Sequence, residues 1–168
     1  MEKKQTYIIA TIVENKPGVL YEVSNLFRRR SFNIESISVG STEQADLARM
    51  TITVSGEPNI IEQVVKQLSK LINVIKVSIL NPTTSVIREL ALIKISAFDS
   101  KIRSDIIQYA NIFRGHILDV SSDSVTVEVT GDSEKIDAFI ELTVPFGLKE
   151  IARTGITALA RGGKAIKE

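Results

Sequence analysis

The chain has 168 residues, of which 43% are hydrophobic and 24% charged, with a formal net charge of +1. That length holds one domain or two small ones with buried cores, and the near-neutral balance exerts no broad pull on nucleic acid or an anionic membrane. The lack of cysteine excludes disulfides, thiolate chemistry and cysteine metal sites, and the single histidine excludes a multi-histidine metal site.

Met1–Gln5 leads into an apolar run with no signal region, and no run approaches the roughly 20 residues of a membrane span. A cytoplasmic protein is expected. Tyr7–Val13 reads as a strand. Glu14-Asn15-Lys16-Pro17-Gly18-Val19-Leu20 follows, and then Val19, Leu20, Val23, Leu26 and Phe27 recur at helical spacing. The heptapeptide is therefore a strand-to-helix turn. Pro17 suits the first helical turn, Gly18 lets another group approach the backbone, and Asn15 can cap the helix or bind a ligand with its amide. The early N–H groups of the helix are a natural seat for a carboxylate, although the same residues also make a plain capped turn.

The first helix is expected from Pro17 to Arg30, where Arg28-Arg29-Arg30 reads as a solvated C-terminus opposing the dipole rather than a phosphate patch. Ile34–Gly40 is a second strand. Met50, Ile52 and Val54 alternate with Arg49, Thr51 and Thr53 in a half-buried third strand. Ile60, Ile61, Val64, Val65, Leu68 and Leu71 mark a second helix, and Ile75, Val77 and Ile79 a fourth strand.

Asn81–Ser85 reads as a linker. Beyond it the order repeats: a strand over 86–98, a helix face at Ile102, Ile106, Tyr109, Ala110 and Phe113 capped by Asp99 or Ser100, and strands over 117–120 and 125–130. A helix then starts near Asp132, and one last strand lies within 148–160. The tail Arg161-Gly162-Gly163-Lys164 is expected to be loose. The fold class is α+β, two consecutive ferredoxin-like βαββαβ domains, over 1–80 and 86–168 with 81–85 between them. Helices cover one face of each sheet, and the other face and the edges stay available to partners. Leu90 and Leu92 oppose Ala91, Ile93 and Ile95 on one strand, so a further domain or subunit is expected over the second sheet.

The chain has no Walker or Rossmann phosphate loop and no nucleophile elbow. His116 reads as an ordinary surface or hydrogen-bonded histidine rather than a general base, and Glu134 and Asp137 as carboxylates in a helix's first turns, favoured by the dipole. A binding module is expected rather than an enzyme.

Glu14–Leu20 resembles the ligand loop of an ACT domain, a small amino-acid-sensing module. The stretch Leu26–Val39, with its Asn33-Ile34-Glu35-Ser36 core, and Leu47–Ile52 are similar to the small regulatory subunit family of acetolactate synthase. So are Arg88–Lys94, Ile112–Val120 and Ile151–Gly155, whereas Thr143–Gly147 departs from the pattern. The resemblance implies a non-catalytic regulatory subunit that stimulates a separate catalytic large subunit. It further implies feedback inhibition by valine or another branched-chain amino acid, and a homodimer formed through the ACT domain. Thiamine diphosphate, a divalent metal and FAD belong to the catalytic chain, and none is expected here. The implied effector site comprises Val13, Asn15, Gly18, Val19, Leu20, Asn33, Ile34 and Val39, with Asn33 supplied across the dimer. The alternative is a stand-alone ACT-type sensor that regulates a different enzyme.

Overall fold

The computed structural model describes residues 5–166, so the expectation placed on Met1–Lys4 lies outside the described residues. β1 (Thr6–Glu14), α1 (Val19–Arg29), β2 (Ile34–Ser41), β3 (Leu47–Ser55), α2 (Pro58–Leu68) and β4 (Val74–Leu80) form the first βαββαβ order. β5 (Ser85–Ser96), α3 (Ser100–Ile112), β6 (His116–Val120), β7 (Ser124–Gly131), α4 (Ser133–Thr143) and β8 (Leu148–Arg153) form the second, and β9 (Thr157–Ala160) follows. The antiparallel strand orders are β2-β3-β1-β4 and β6-β7-β5-β8, with β9 paired to β5. Both are the expected ferredoxin-like arrangement. Among the described residues no helix is long and apolar enough to cross a membrane.

In the first sheet, strand alternation decides which residues meet the helices. Ile9 and Val13 of β1, with Met50, Ile52 and Val54 of β3, pack against Val19, Val23 and Phe27 of α1 and Ile61, Val64 and Leu68 of α2. The α1 residues fall four apart and make a single buried stripe. The expected open face of β1 is covered as well: Ile8 and Ala10 pack with Leu80 and with Ala158 of β9.

That contact ties the residues after Gly155 to the first unit. The chain divides into one unit of residues 1–87 plus 156–168, and a second of residues 88–155. Gly155, at φ 74°, breaks the single strand expected over 148–160 into β8 and β9. A left-handed glycine costs little, and it turns the chain off the line of β8 before β9 pairs with β5. Ile156 N–H then donates to Ser36 Oγ, and Ser38 Oγ donates to the Ile156 carbonyl. The tail is not loose either: Arg161 N–H donates to the Thr84 carbonyl at 2.9 Å, and Ile166 packs with the cluster around Ala158.

In the second unit, Ala91, Ile93 and Ile95 of β5 and Val125, Val127 and Val129 of β7 face Ile106 and Ala110 of α3 and Ile136 and Phe139 of α4. Asp99 caps α3 through Ile102 N–H at 2.8 Å, and Asp132 caps α4 through Lys135 N–H at 2.9 Å. Leu92, on the opposite face of β5, stays 37% exposed. Gly115 sits where a Cβ would lie 2.8 Å from the Glu128 carbonyl oxygen, so only glycine fits before β6 without a shift. The unfamiliar Thr143–Gly147 segment contains a short 3-10 turn, Val144–Phe146, whose Phe146 ring packs 5.9 Å from Tyr109.

Two of the family-like motifs meet here. Glu89 shares the inward parity of Ala91 and is only 5% exposed. Arg153 of β8 donates to it twice, Nε to Oε1 at 2.7 Å and Nη2 to Oε2 at 2.8 Å, and reaches Asp137 of α4 at 2.7 Å. Ser133 adds a bond to Glu89 at 3.0 Å. The guanidinium beside Glu89 holds its carboxyl below the usual carboxylate range. One residue on, Thr154 Oγ accepts Leu90 N–H.

Candidate functional site

The strand-to-helix loop leaves β1 through bonds that fix its path. Asn15 N–H donates to the Asp46 carbonyl at 2.7 Å, and Asn15 Nδ2 donates to the Ala45 carbonyl at 3.1 Å. Asn15 therefore ties the loop to the β2–β3 connection and does not cap α1. The N-cap is Gly18, at φ 91°, and no side chain bonds to the helix N-terminus. Pro17 precedes the helix instead of occupying its first turn, because the left-handed Gly18 starts the helix one residue later. A Cβ built on Gly18 would meet nothing within 4 Å. The N–H groups of Leu20 and Tyr21 look back to Lys16 and Pro17, outside the helix, so the terminus presents donors to an open space.

The other expected site residues separate. Val13 is fully buried and Val19 is 4% exposed, both within the core under the helices. They support the loop from beneath and do not line a surface slot. Leu20, 46% exposed, stands beside the open N-terminus. Val39 of β2 pairs with Met50, which pairs with Thr11, so Val39 lies in the half of the sheet next to the loop. Asn33 and Ile34 lie at the other end. Ile34 pairs with Val54, whereas Glu14 pairs with Leu47. Seven residues of extended β3 place Asn33 about 23 Å from the loop within one chain. Ile34 also packs partly against the core. A site that includes both Asn15 and Asn33 needs two copies of the chain.

Residues 9–76 match the family model described as the AHAS small subunit-like ACT domain, and residues 88–162 match that of the small subunit of acetolactate synthase. The chain is 58% identical over 161 residues to a Methanothermobacter thermautotrophicus protein described as "Probable acetolactate synthase small subunit", covering 96% of each chain. This chain belongs to the acetolactate synthase small-subunit family. The acetolactate synthase small subunit of Mycolicibacterium smegmatis is 50% identical over 161 residues, covering 96% of this chain and 94% of the relative. A crystal structure of the Thermotoga maritima small subunit superposes with a TM-score of 0.88 at 43% identity, covering 95% of this chain and 99% of that one. Membership in a small-subunit family means a regulatory role beside a catalytic partner chain. The family match extends through β9, so the strand whose Ala158 packs against the first sheet lies within the matched region.

Sequence reasoning missed one buried charge and one that is half-buried. Glu89 could have been found from its parity, since alternation puts it on the helix-facing side of β5. Arg49, read as part of a polar stripe, is covered by the returning tail: its Nη2 donates to the Ala158 carbonyl at 2.8 Å. No local pattern reports a segment 109 residues away in sequence.

Proposed function

We propose that this chain is the regulatory subunit of acetolactate synthase. It is not catalytic alone, stimulates a separate catalytic subunit and confers feedback inhibition by a branched-chain amino acid, with valine the leading candidate. Valine/isoleucine/leucine biosynthesis in the cytoplasm is its setting. The observation that carries the reading is the uncapped N-terminus of α1 at Gly18, facing open space beside Leu20.

A zwitterionic amino acid needs donors for its carboxylate, acceptors for its ammonium and an apolar slot. Helix N–H groups supply the first, aided by the dipole. Asn15 uses Nδ2 on Ala45, which leaves Oδ1 as its accepting atom. Leu20 and Val39 offer exposed apolar surface. β2 is an edge of the first sheet. Antiparallel pairing of β2 with β2 of a second copy reverses strand direction, and so carries Asn33 of one chain toward the loop end of the other. Ligand binding and dimer packing then form one equilibrium, through which an inhibitor acts on the catalytic subunit.

The test compares Gly18→Asp with Gly18→Ala. Both suffer the same left-handed backbone strain of about 1–2 kcal/mol, while only aspartate sets a charge against the ligand carboxylate. Titration calorimetry with valine should show binding to the natural chain, weaker binding to Gly18→Ala and none to Gly18→Asp. Stimulation of the large subunit should persist in both variants. Unchanged valine affinity in Gly18→Asp removes the loop from the reading, and a monomer in sedimentation at micromolar concentration removes the shared site.

A further inference from the structure

A second polar feature lies on the face of the first sheet away from α1 and α2. A groove of about 1150 Å³ runs beneath the returning tail, and its described lining includes Arg49, Lys76, Ser78, Ser85, Leu159 and Lys164. None of Asn15, Gly18 or Leu20 lines it. Two buried polar atoms of this lining have no hydrogen-bond partner among the described residues, Arg49 Nε and Ser85 Oγ. Ser85 is only 4% exposed. Buried donors are ordinarily satisfied, so two in one groove call for an occupant.

The character of that occupant follows from charge. Among the described residues the Arg49 guanidinium has one hydrogen bond, to the neutral Ala158 carbonyl, and no carboxylate within ion-pair distance. Partial burial pushes its guanidinium below the ordinary arginine value. Arg49 is half-buried, and its buried Nε still lacks a partner among the described residues. A guanidinium offers paired donors in the geometry that a carboxylate or phosphate accepts. Lys76 and Lys164 add positive charge to the lining, against Glu43.

We propose that this groove is an oxyanion-binding site, separate from the loop at Gly18, that takes a small carboxylate or phosphate on Arg49 and Ser85. The bound anion joins β3, which carries Arg49, to the start of β5 and to β9, and so fastens the returning tail to the first sheet. The inference stands independently of the amino-acid reading above.

The test titrates the full-length chain with inorganic phosphate and, separately, with pyruvate, at ionic strength matched with chloride, by calorimetry and by amide chemical-shift mapping. Saturable binding of at least one anion is expected, with shifts centred on Arg49, Ser85 and Leu159. Arg49→Met should weaken it by about ten-fold or more, as expected for the loss of a charge-assisted bidentate donor. Ser85→Ala should weaken it less. Binding of phosphate alone assigns a phosphate-bearing ligand, binding of pyruvate alone assigns an organic acid, and binding of both assigns a site open to either. Failure of both anions to saturate at millimolar concentration overturns the proposal. So does binding that Arg49→Met leaves unchanged, or shifts centred elsewhere. Should Arg49→Met not fold, the shift map of the natural chain and the affinity of Ser85→Ala decide.

Discussion

Replacing Arg153 with methionine isolates the strongest buried electrostatic contact in the second unit. The substitution removes two charge-assisted bonds to Glu89, at 2.7 and 2.8 Å, and leaves the carboxylate the Ser133 hydroxyl at 3.0 Å among the described residues. Glu89 is 5% exposed, so its charge stays desolvated. Stranding one member of a buried pair costs about 3–5 kcal/mol. Arg153 itself is 34% exposed in its side chain, so solvent screening lowers the expected loss to about 2–3 kcal/mol at neutral pH. The pH dependence gives the sign. In the natural chain the Glu89 pKa is depressed, so its stabilising contribution is present above the unfolded carboxylate value and is lost as pH falls through the folded value. In Arg153→Met burial dominates and raises that pKa, so stability is fully present below the unfolded value and is lost as pH rises. The difference between the two proteins must therefore widen from acid to neutral pH. Urea unfolding followed by far-ultraviolet circular dichroism measures it across that range. Adding Glu89→Gln to Arg153→Met should recover much of the loss, because no charge is then left buried. A difference that is flat with pH, or below about 1 kcal/mol at neutral pH, refutes the reasoning, since it would fall within the range of an ordinary exposed ion pair.

The remaining predictions concern single buried atoms. Thr11 is fully buried and its hydroxyl has no partner among the described residues, so Thr11→Val keeps the shape and should stabilise the first unit by about 1 kcal/mol in urea unfolding. Gly115→Ala places a methyl 2.8 Å from the Glu128 carbonyl oxygen, so it should destabilise the second unit by about 1–3 kcal/mol in the same measurement.

Much of the fold is legible along the sequence because its signals are local. Alternation at Met50, Ile52 and Val54 places β3, and four-residue spacing at Val19, Val23 and Phe27 places α1, since period two and period 3.6 follow from backbone geometry. Asp99 announces the start of α3 as a capping residue before an apolar stripe. The Gly18 loop was legible for the same reason: a strand, a breaker and a helix stripe lie side by side. Less legible was the part that each residue plays there. Asn15 spends its amide nitrogen on Ala45, and Val13 and Val19 turn into the core, outcomes set by packing around the loop.

By itself the sequence determined the two βαββαβ repeats, their helix faces and the loop at Gly18, because each is written in periodicity and turn chemistry within about a dozen residues. Only the tertiary structure decided that β9, paired to β5, lays Ala158 against Ile8, Ala10 and Leu80 of the first sheet, and that the first unit therefore includes residues 156–168. A cut after residue 80 removes that cover as well as the second unit. It was also the tertiary structure that brought Arg153 to Glu89 and Arg49 under the tail. These pairs lie 64 and 109 residues apart, and their charges reveal their task only once folding has removed them from water.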